Sequence, residues 1–268
     1  MYEIYINDRP LRLVAQPPQM KTEDSDSSHL IAPWRGKTKT LLNYADTLEK
    51  GSPKVTQITL YYADLDFMWN EFMGHYKIVE AAGGLVQLNE AKRFLVMERR
   101  GHIDLPKGKI DPGETAVEAA LREVSEETSL EMKSLVIHPE WPDLSGDLAR
   151  NEFFKNWTTA GRGLPLSSAS QPRKNPAGLA SGNFDRPMVP PQMQHGDGGD
   201  DLNYKLTLHT YRTKKGKRIL KPTYWFAMKS DQMVVKPQIE EDIDWVDWMT
   251  VEDVDFERMY TSLLGVWH

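Results

Sequence analysis

Residues 108–130, GKIDPGETAVEAALREVSEETSL, constrain this chain more than any other stretch. Val117, Ala120, Leu121 and Val124 recur at i, i+3, i+4 and i+7, which is one side of an α-helix. The spacing predicts a helix over 115–128, started by Gly113-Glu114-Thr115 with acid in its first turn. Glu123, Glu126 and Glu127 lie three and four apart and occupy an arc of roughly 100° beside that apolar side. Exposed like charges at such spacing cost a few tenths of a kcal/mol per pair. Three of them at the edge of a buried face invite a cation. Carboxylate ligands suit magnesium, or manganese in its place. The chain has no cysteine, which excludes thiolate metal sites, disulfides and a cysteine nucleophile.

The surroundings fit an anchored acidic array. Arg122 is four residues from both Glu118 and Glu126, within pairing distance on a helix. Pro106, Gly108, Pro112 and Gly113 build a loop whose backbone can approach a ligand closely. Gly108, Glu114, Arg122-Glu123, Val124, Glu126-Glu127 and Leu130 fall at the spacing of the Nudix box, and the segment resembles that family's motif. One position departs, because Ser129 stands where the box ends in glycine. That glycine usually closes the helix in a left-handed turn, where a β-carbon costs roughly 1 kcal/mol.

The resemblance covers about 77–140 and 205–268. It implies an α/β fold, the Nudix α/β/α sandwich with a mixed sheet, in which AAGGLV, EETSL and DWVDWM sit where the family keeps core strands. It also implies a hydrolase that cleaves a phosphoanhydride bond in a nucleoside diphosphate derivative or polyphosphate, with Mg2+ as cofactor. By the same resemblance Glu123, Glu126 and Glu127 are the metal-holding and catalytic carboxylates, joined by the Gly108 carbonyl, and Glu114 and Arg122 orient them. Glu240 and Glu241 are candidates for a further carboxylate, with an exposed acidic loop as the competing reading. Arg99, Lys107 and Lys109 are candidates for substrate phosphate. The LPKGK loop is similar to that of Nudix enzymes acting on dinucleoside polyphosphates or diphosphoinositol polyphosphates, which puts such substrates among the candidates. The alternative is a Nudix-fold binding or regulatory module without catalysis. All three box glutamates are present, which argues against it.

Elsewhere the signals are organisational. Residues 2–14 alternate as strands do around Asn7-Asp8, a hairpin signal. A helix is expected over 37–50, a strand over 55–62, and a helix capped by Asp64 that carries Leu65, Met68, Trp69 and Phe72. Residues 1–76 read as a small N-terminal α+β domain and 77–268 as the Nudix domain. The latter is interrupted by a flexible low-complexity insertion at about 141–204. Within it, residues 156–204 hold 7 Gly, 6 Pro and 4 Ser, too little apolar area to repay ordering. A tether is the favoured reading there, ahead of a substrate lid.

His209 and Tyr211 alternate on a strand, and KKGKR (214–218) reads as a solvated hairpin tip. Trp225, Trp245 and Trp248 read as core before they read as base-stacking platforms. A net charge of -6 argues against general nucleic-acid binding and leaves a small phosphorylated substrate as the partner; a homodimer is allowed. No basic start followed by an apolar core opens the chain, and no apolar run is long enough to span a membrane. The expected location is cytoplasmic.

Overall fold

The computed structural model describes residues 1–18, 27–89, 91–159 and 203–268. Most of the insertion read from composition, residues 160–202, lies outside the described residues. The chain divides into two units.

The first unit takes Met1–Val79 and Leu208–Pro222. Strands β1 (Tyr2–Ile6) and β2 (Arg9–Val14) form the expected hairpin, with Ile4 opposite Leu11 and Tyr2 opposite Leu13. Its two-residue turn needs positive φ at both positions, and Asn7 (52°) and Asp8 (59°) supply it. Strand β3 (His29–Pro33), helix α1 (Thr38–Glu49), strand β4 (Gln57–Tyr61) and helix α2 (Leu65–Met73) follow, then β5 (Lys77–Ile78). β4 runs parallel to both β2 and β3, and β1 pairs in parallel with His209 and Thr210. Asp64 caps α2 by accepting from the Phe67 N–H at 2.9 Å. The core joins Ile4, Leu11, Leu13, Ile58 and Leu60 to Leu41, Leu48, Met68, Trp69 and Phe72 of the two helices.

The second unit holds residues 80–159, 203–207 and 223–268 of those described. Its elements are β6 (Ala81–Leu88), β7 (Arg93–Arg99), β8 (His102–Asp104), β9 (Lys107–Lys109), α3 (Ala116–Thr128), β10 (Leu135–Ile137), α4 (Ser145–Leu148) and α5 (Glu152–Thr159). Then come β11 (Tyr204–Arg212), β12 (Arg218–Ser230), β13 (Ile243–Thr250) and α6 (Thr261–Trp267), with β11 and β12 contributing part of their length to each unit. β13–β7–β6 is antiparallel, while β6 lies parallel to β12 from Ala81↔Thr223 to Leu88↔Ser230, so the sheet is mixed. Helices cover both faces. A β-carbon on Gly84 would press on Val124 of α3, whereas Leu85 joins a core with Leu148 of α4, Phe154 of α5 and Trp267 of α6. This is the α/β/α arrangement expected from the sequence.

Two expectations need correction. The segment EETSL, placed among core strands, instead ends α3, with Thr128 its last helical residue. The insertion, read as starting near 141, starts too early. Leu144, Leu148 and Phe154 are core residues, and the buried Asn151 side chain donates to the carbonyls of Val251 (2.9 Å) and Val254 (3.0 Å). Trp225 and Trp248 are buried, and Trp245 packs against the same core. The three indole N–H groups donate to Thr207 Oγ1, the Met233 carbonyl and Glu98 Oε2 respectively. Among the described residues no helix is long and apolar enough to cross a membrane.

Candidate functional site

The site is built on α3 and the strand-turn segment before it. Thr115 and Glu118 form a reciprocal capping box: Thr115 Oγ1 accepts from the Glu118 N–H (3.2 Å) and Glu118 Oε2 from the Thr115 N–H (2.8 Å). At the other end Ser129 takes the left-handed conformation at φ 59°, ψ 20°, so the helix keeps its left-handed close without glycine. Gln232 holds that turn by donating to the Ser129 carbonyl at 3.1 Å.

The buried stripe of α3 is Ala116, Ala119, Ala120, Val124, Glu127 and Thr128. It is turned from the predicted one, because Val117 and Leu121 are only half-buried. Glu127 therefore lies within the buried face, not beside it, and is 2% exposed. Small alanines on this stripe let α3 approach β6 closely. That approach brings Glu127 Oε2 onto the Lys107 N–H at 2.7 Å, and Arg99 Nη1 onto Oε1 at 3.3 Å. Burial pushes the Glu127 carboxyl up to about 7, against the downward pull of Lys107 and Arg99.

Arg122 organises the exposed side. Its Nε and Nη2 grip both oxygens of Glu114 at 2.8 and 2.9 Å, and Nη1 reaches Glu123 (2.7 Å) and Glu126 (3.1 Å). Nη2 also donates to the Lys109 carbonyl at 3.0 Å, fixing the loop to the helix. The expected pairing with Glu118 is absent among the described residues, because the capping box occupies that carboxylate. Glu114 is set in turn by the Asp111 N–H at 3.0 Å, and Arg122 holds its carboxyl below the ordinary range.

Gly108 lies under Glu123. A β-carbon there would overlap the Glu123 carboxylate, the movable end of a flexible side chain, so Glu123 keeps this position only over glycine. We expect Gly108→Ala to displace Glu123 and lower divalent-cation affinity at least tenfold while the melting temperature changes little, as measured by cation titration and thermal melts.

The outlying candidates divide. Glu241 joins the site through Arg99, whose Nη2 donates to it at 2.9 Å; Glu240 is exposed. Lys109 is exposed, whereas Lys107 Nζ is bonded to Asp104, which is buried. Asp104 was not legible as a partner, since nothing in Asp104-Leu105-Pro106-Lys107 indicates that the two side chains meet. Lys107→Ala should leave that carboxylate with the Leu105 N–H but no cation, and destabilise the fold by about 2 kcal/mol in denaturant unfolding, below the range for fully enclosed pairs. Lys109→Ala should leave stability unchanged. His209, Tyr211 and residues 214–218 belong to the first unit.

The donor set suits a hard divalent ion: carboxylates of Glu123, Glu126 and Glu127 beside the Gly108 backbone, with no sulfur or imidazole among them. Among the described residues no three acidic or histidine side chains already converge on one point, since the Arg122 guanidinium engages both Glu123 and Glu126.

Residues 78–160 match the family model described as NUDIX domain. A Bacillus subtilis (strain 168) protein provisionally named an 8-oxo-dGTP diphosphatase is 48% identical over 46 residues, 16% of this chain and 31% of that protein. The chain thus spans about a third of the length of the curated relative it matches. Among solved structures, an Ap4A hydrolase binary complex from C. elegans has 17% identity and a TM-score of 0.37, over 70% of this chain and 91% of that one. A NUDIX hydrolase from Nitrosomonas europaea has 13% identity and a TM-score of 0.36, over 72% of this chain and 69% of that one. The similarity to a NUDIX domain is thus confined to residues 78–160, the stretch that holds β6 to α3 and the carboxylate array.

Proposed function

We propose that this protein is a magnesium-dependent hydrolase of a phosphoanhydride bond in a small nucleotide-type substrate, working in the cytoplasm. The observation that carries the reading is the arrangement on α3. An arginine fixes three carboxylates' worth of negative charge (Glu114, Glu123 and Glu126) around the glycine that receives Glu123, with Glu127 buried beneath. Such an array holds its charges at a cost that a divalent cation relieves.

In this reading Glu123, Glu126 and Glu127, with the Gly108 carbonyl, hold the metal, and Glu114 and Arg122 keep them aligned. A bound magnesium ion would supply charge neutralisation and Lewis acidity toward the phosphates. Phosphoryl chemistry asks mainly for positioning and electrostatics, and the side chains provide both. Arg99 ties the buried Glu127 to the exposed Glu241, and it and the exposed Lys109 are the cations left as candidates for substrate phosphate. Lys107 is committed to Asp104, so a preference for long polyphosphates rests on Lys109 and Arg99 alone.

A screen over nucleotide sugars, dinucleoside polyphosphates, oxidised nucleotides and diphosphoinositols, with and without Mg2+, tests the proposal when products are identified by mass. We expect metal-dependent release of two phosphorylated fragments from at least one class. No turnover across the panel would favour the binding-module alternative.

A further inference from the structure

The hairpin joining β7 and β8 carries a second feature beside the carboxylates. Arg99 and His102 are directly opposed across it, and Arg100 (φ 53°) and Gly101 (φ 80°) form the two-residue turn. Opposed residues in an antiparallel pair project from the same face. His102 therefore leaves the sheet on the side from which Arg99 reaches Glu127. Its imidazole is exposed and lies against the Tyr260 ring, with centroids 4.4 Å apart and planes 25° apart. A contact of 3.2 Å between His102 Nδ1 and the Arg258 carbonyl fixes the ring's rotation.

Cationic groups connect this stack to the site. Arg100 is held by Asp242 at 2.9 Å, with Tyr260 and Glu241 near enough to act on its charge. Arg258 donates to the Gly101 carbonyl at 3.2 Å. The result is a planar aromatic surface edged by guanidinium groups, set one hairpin turn from the arginine that touches the buried glutamate. A nucleobase has the matching properties: two flat faces for stacking, a polar rim, and a phosphate tail on one side only.

We propose that the His102–Tyr260 stack is the platform for the base of a nucleotide whose diphosphate reaches Arg99 and the α3 carboxylates. The inference rests on the reading of α3 as the phosphate end. It makes the substrate a nucleoside derivative, in preference to an inositol or inorganic polyphosphate. The competing role is structural, a clasp that fastens Met259 beside Ile103, which it pairs with.

Calorimetric titration of the intact chain separates the two. ADP, GDP, CDP, UDP and inorganic pyrophosphate are titrated in the presence of Ca2+ into wild type, His102→Ala and His102→Trp, with thermal melts of each. We expect at least one nucleoside diphosphate to bind wild type about tenfold more tightly than pyrophosphate, the contribution of a single base–aromatic stack. His102→Ala should erase that margin with pyrophosphate affinity unchanged, and His102→Trp should restore it. The platform is overturned if no nucleoside diphosphate outbinds pyrophosphate in wild type, or if the margin survives His102→Ala. A fall in melting temperature with an intact margin would identify the clasp instead. Turnover is measured separately with Mg2+, so an inactive protein that keeps the base margin would overturn the hydrolase reading and leave the platform standing.

Discussion

Replacing Glu126 or Glu127 by glutamine should lower kcat/KM by about three orders of magnitude, roughly 4 kcal/mol of transition-state stabilisation, with the fold intact. The two variants reach that loss differently. Glu126 is exposed and, among the described residues, tied only to Arg122, so its replacement removes one of the proposed metal-binding oxygens and little else. Magnesium at high concentration should recover part of its activity. Glu127 is enclosed between the Lys107 N–H and Arg99, so its amide also alters the arginine that leads to Glu241. Excess magnesium should not rescue it. Steady-state kinetics across a magnesium series checks both. Near-wild-type turnover of both variants at sub-saturating metal would remove the site from α3.

The second large effect is on stability, and its sign is opposite. Burial raises the Glu127 carboxyl from 4.5 to about 7. In chelator-treated protein the folded state therefore holds a proton at Glu127 that the unfolded chain releases between these values. Stability from this group is fully present below about 4.5, declines as pH rises, and is lost above about 7. The shift corresponds to about 3 kcal/mol. Glutamine carries no charge to bury, so Glu127→Gln should be more stable than wild type at pH 8 by that amount and nearly equal to it at pH 4.5. Denaturant unfolding at several pH values in chelator gives the difference curve. Magnesium at pH 8 should raise the melting temperature of wild type and leave Glu127→Gln unmoved. A flat difference curve would mean that Glu127 is already charged and compensated when the metal is absent. Together the two predictions describe a residue that gives up stability for chemistry.

The sequence carried much of this locally. The helix limits followed from apolar spacing, the Thr115 start and a residue able to close it, and Ser129 adopts the turn that its glycine counterpart would. The Asn7-Asp8 hairpin and the Asp64 cap were legible for the same reason: the interaction lies within a few residues of the signal. What escaped depends on distant partners. The pairing of β1 with His209 and Thr210 joins segments about two hundred residues apart and leaves no periodic trace. The helices of 145–159 were hidden because their composition was read together with the Gly- and Pro-rich residues that follow. The face of α3 was misplaced by a fraction of a turn because alanine carries little hydrophobic weight. Yet Ala116, Ala119 and Ala120 face the sheet, and Glu127 goes inward with them. Arg99 met Glu127 and Glu241 only once β7, α3 and the 239–241 turn were assembled.

In the proposed function the α3 glutamates form a divalent-cation site. Electron paramagnetic resonance of Mn2+ titrated into wild type and into the Glu123→Gln, Glu126→Gln, Glu127→Gln triple variant, with Mg2+ as competitor, tests it most directly. We expect a saturable wild-type site from which Mg2+ displaces Mn2+ and that is lost in the triple variant. Equal Mn2+ binding by the two proteins, or no saturable binding by wild type, would contradict it.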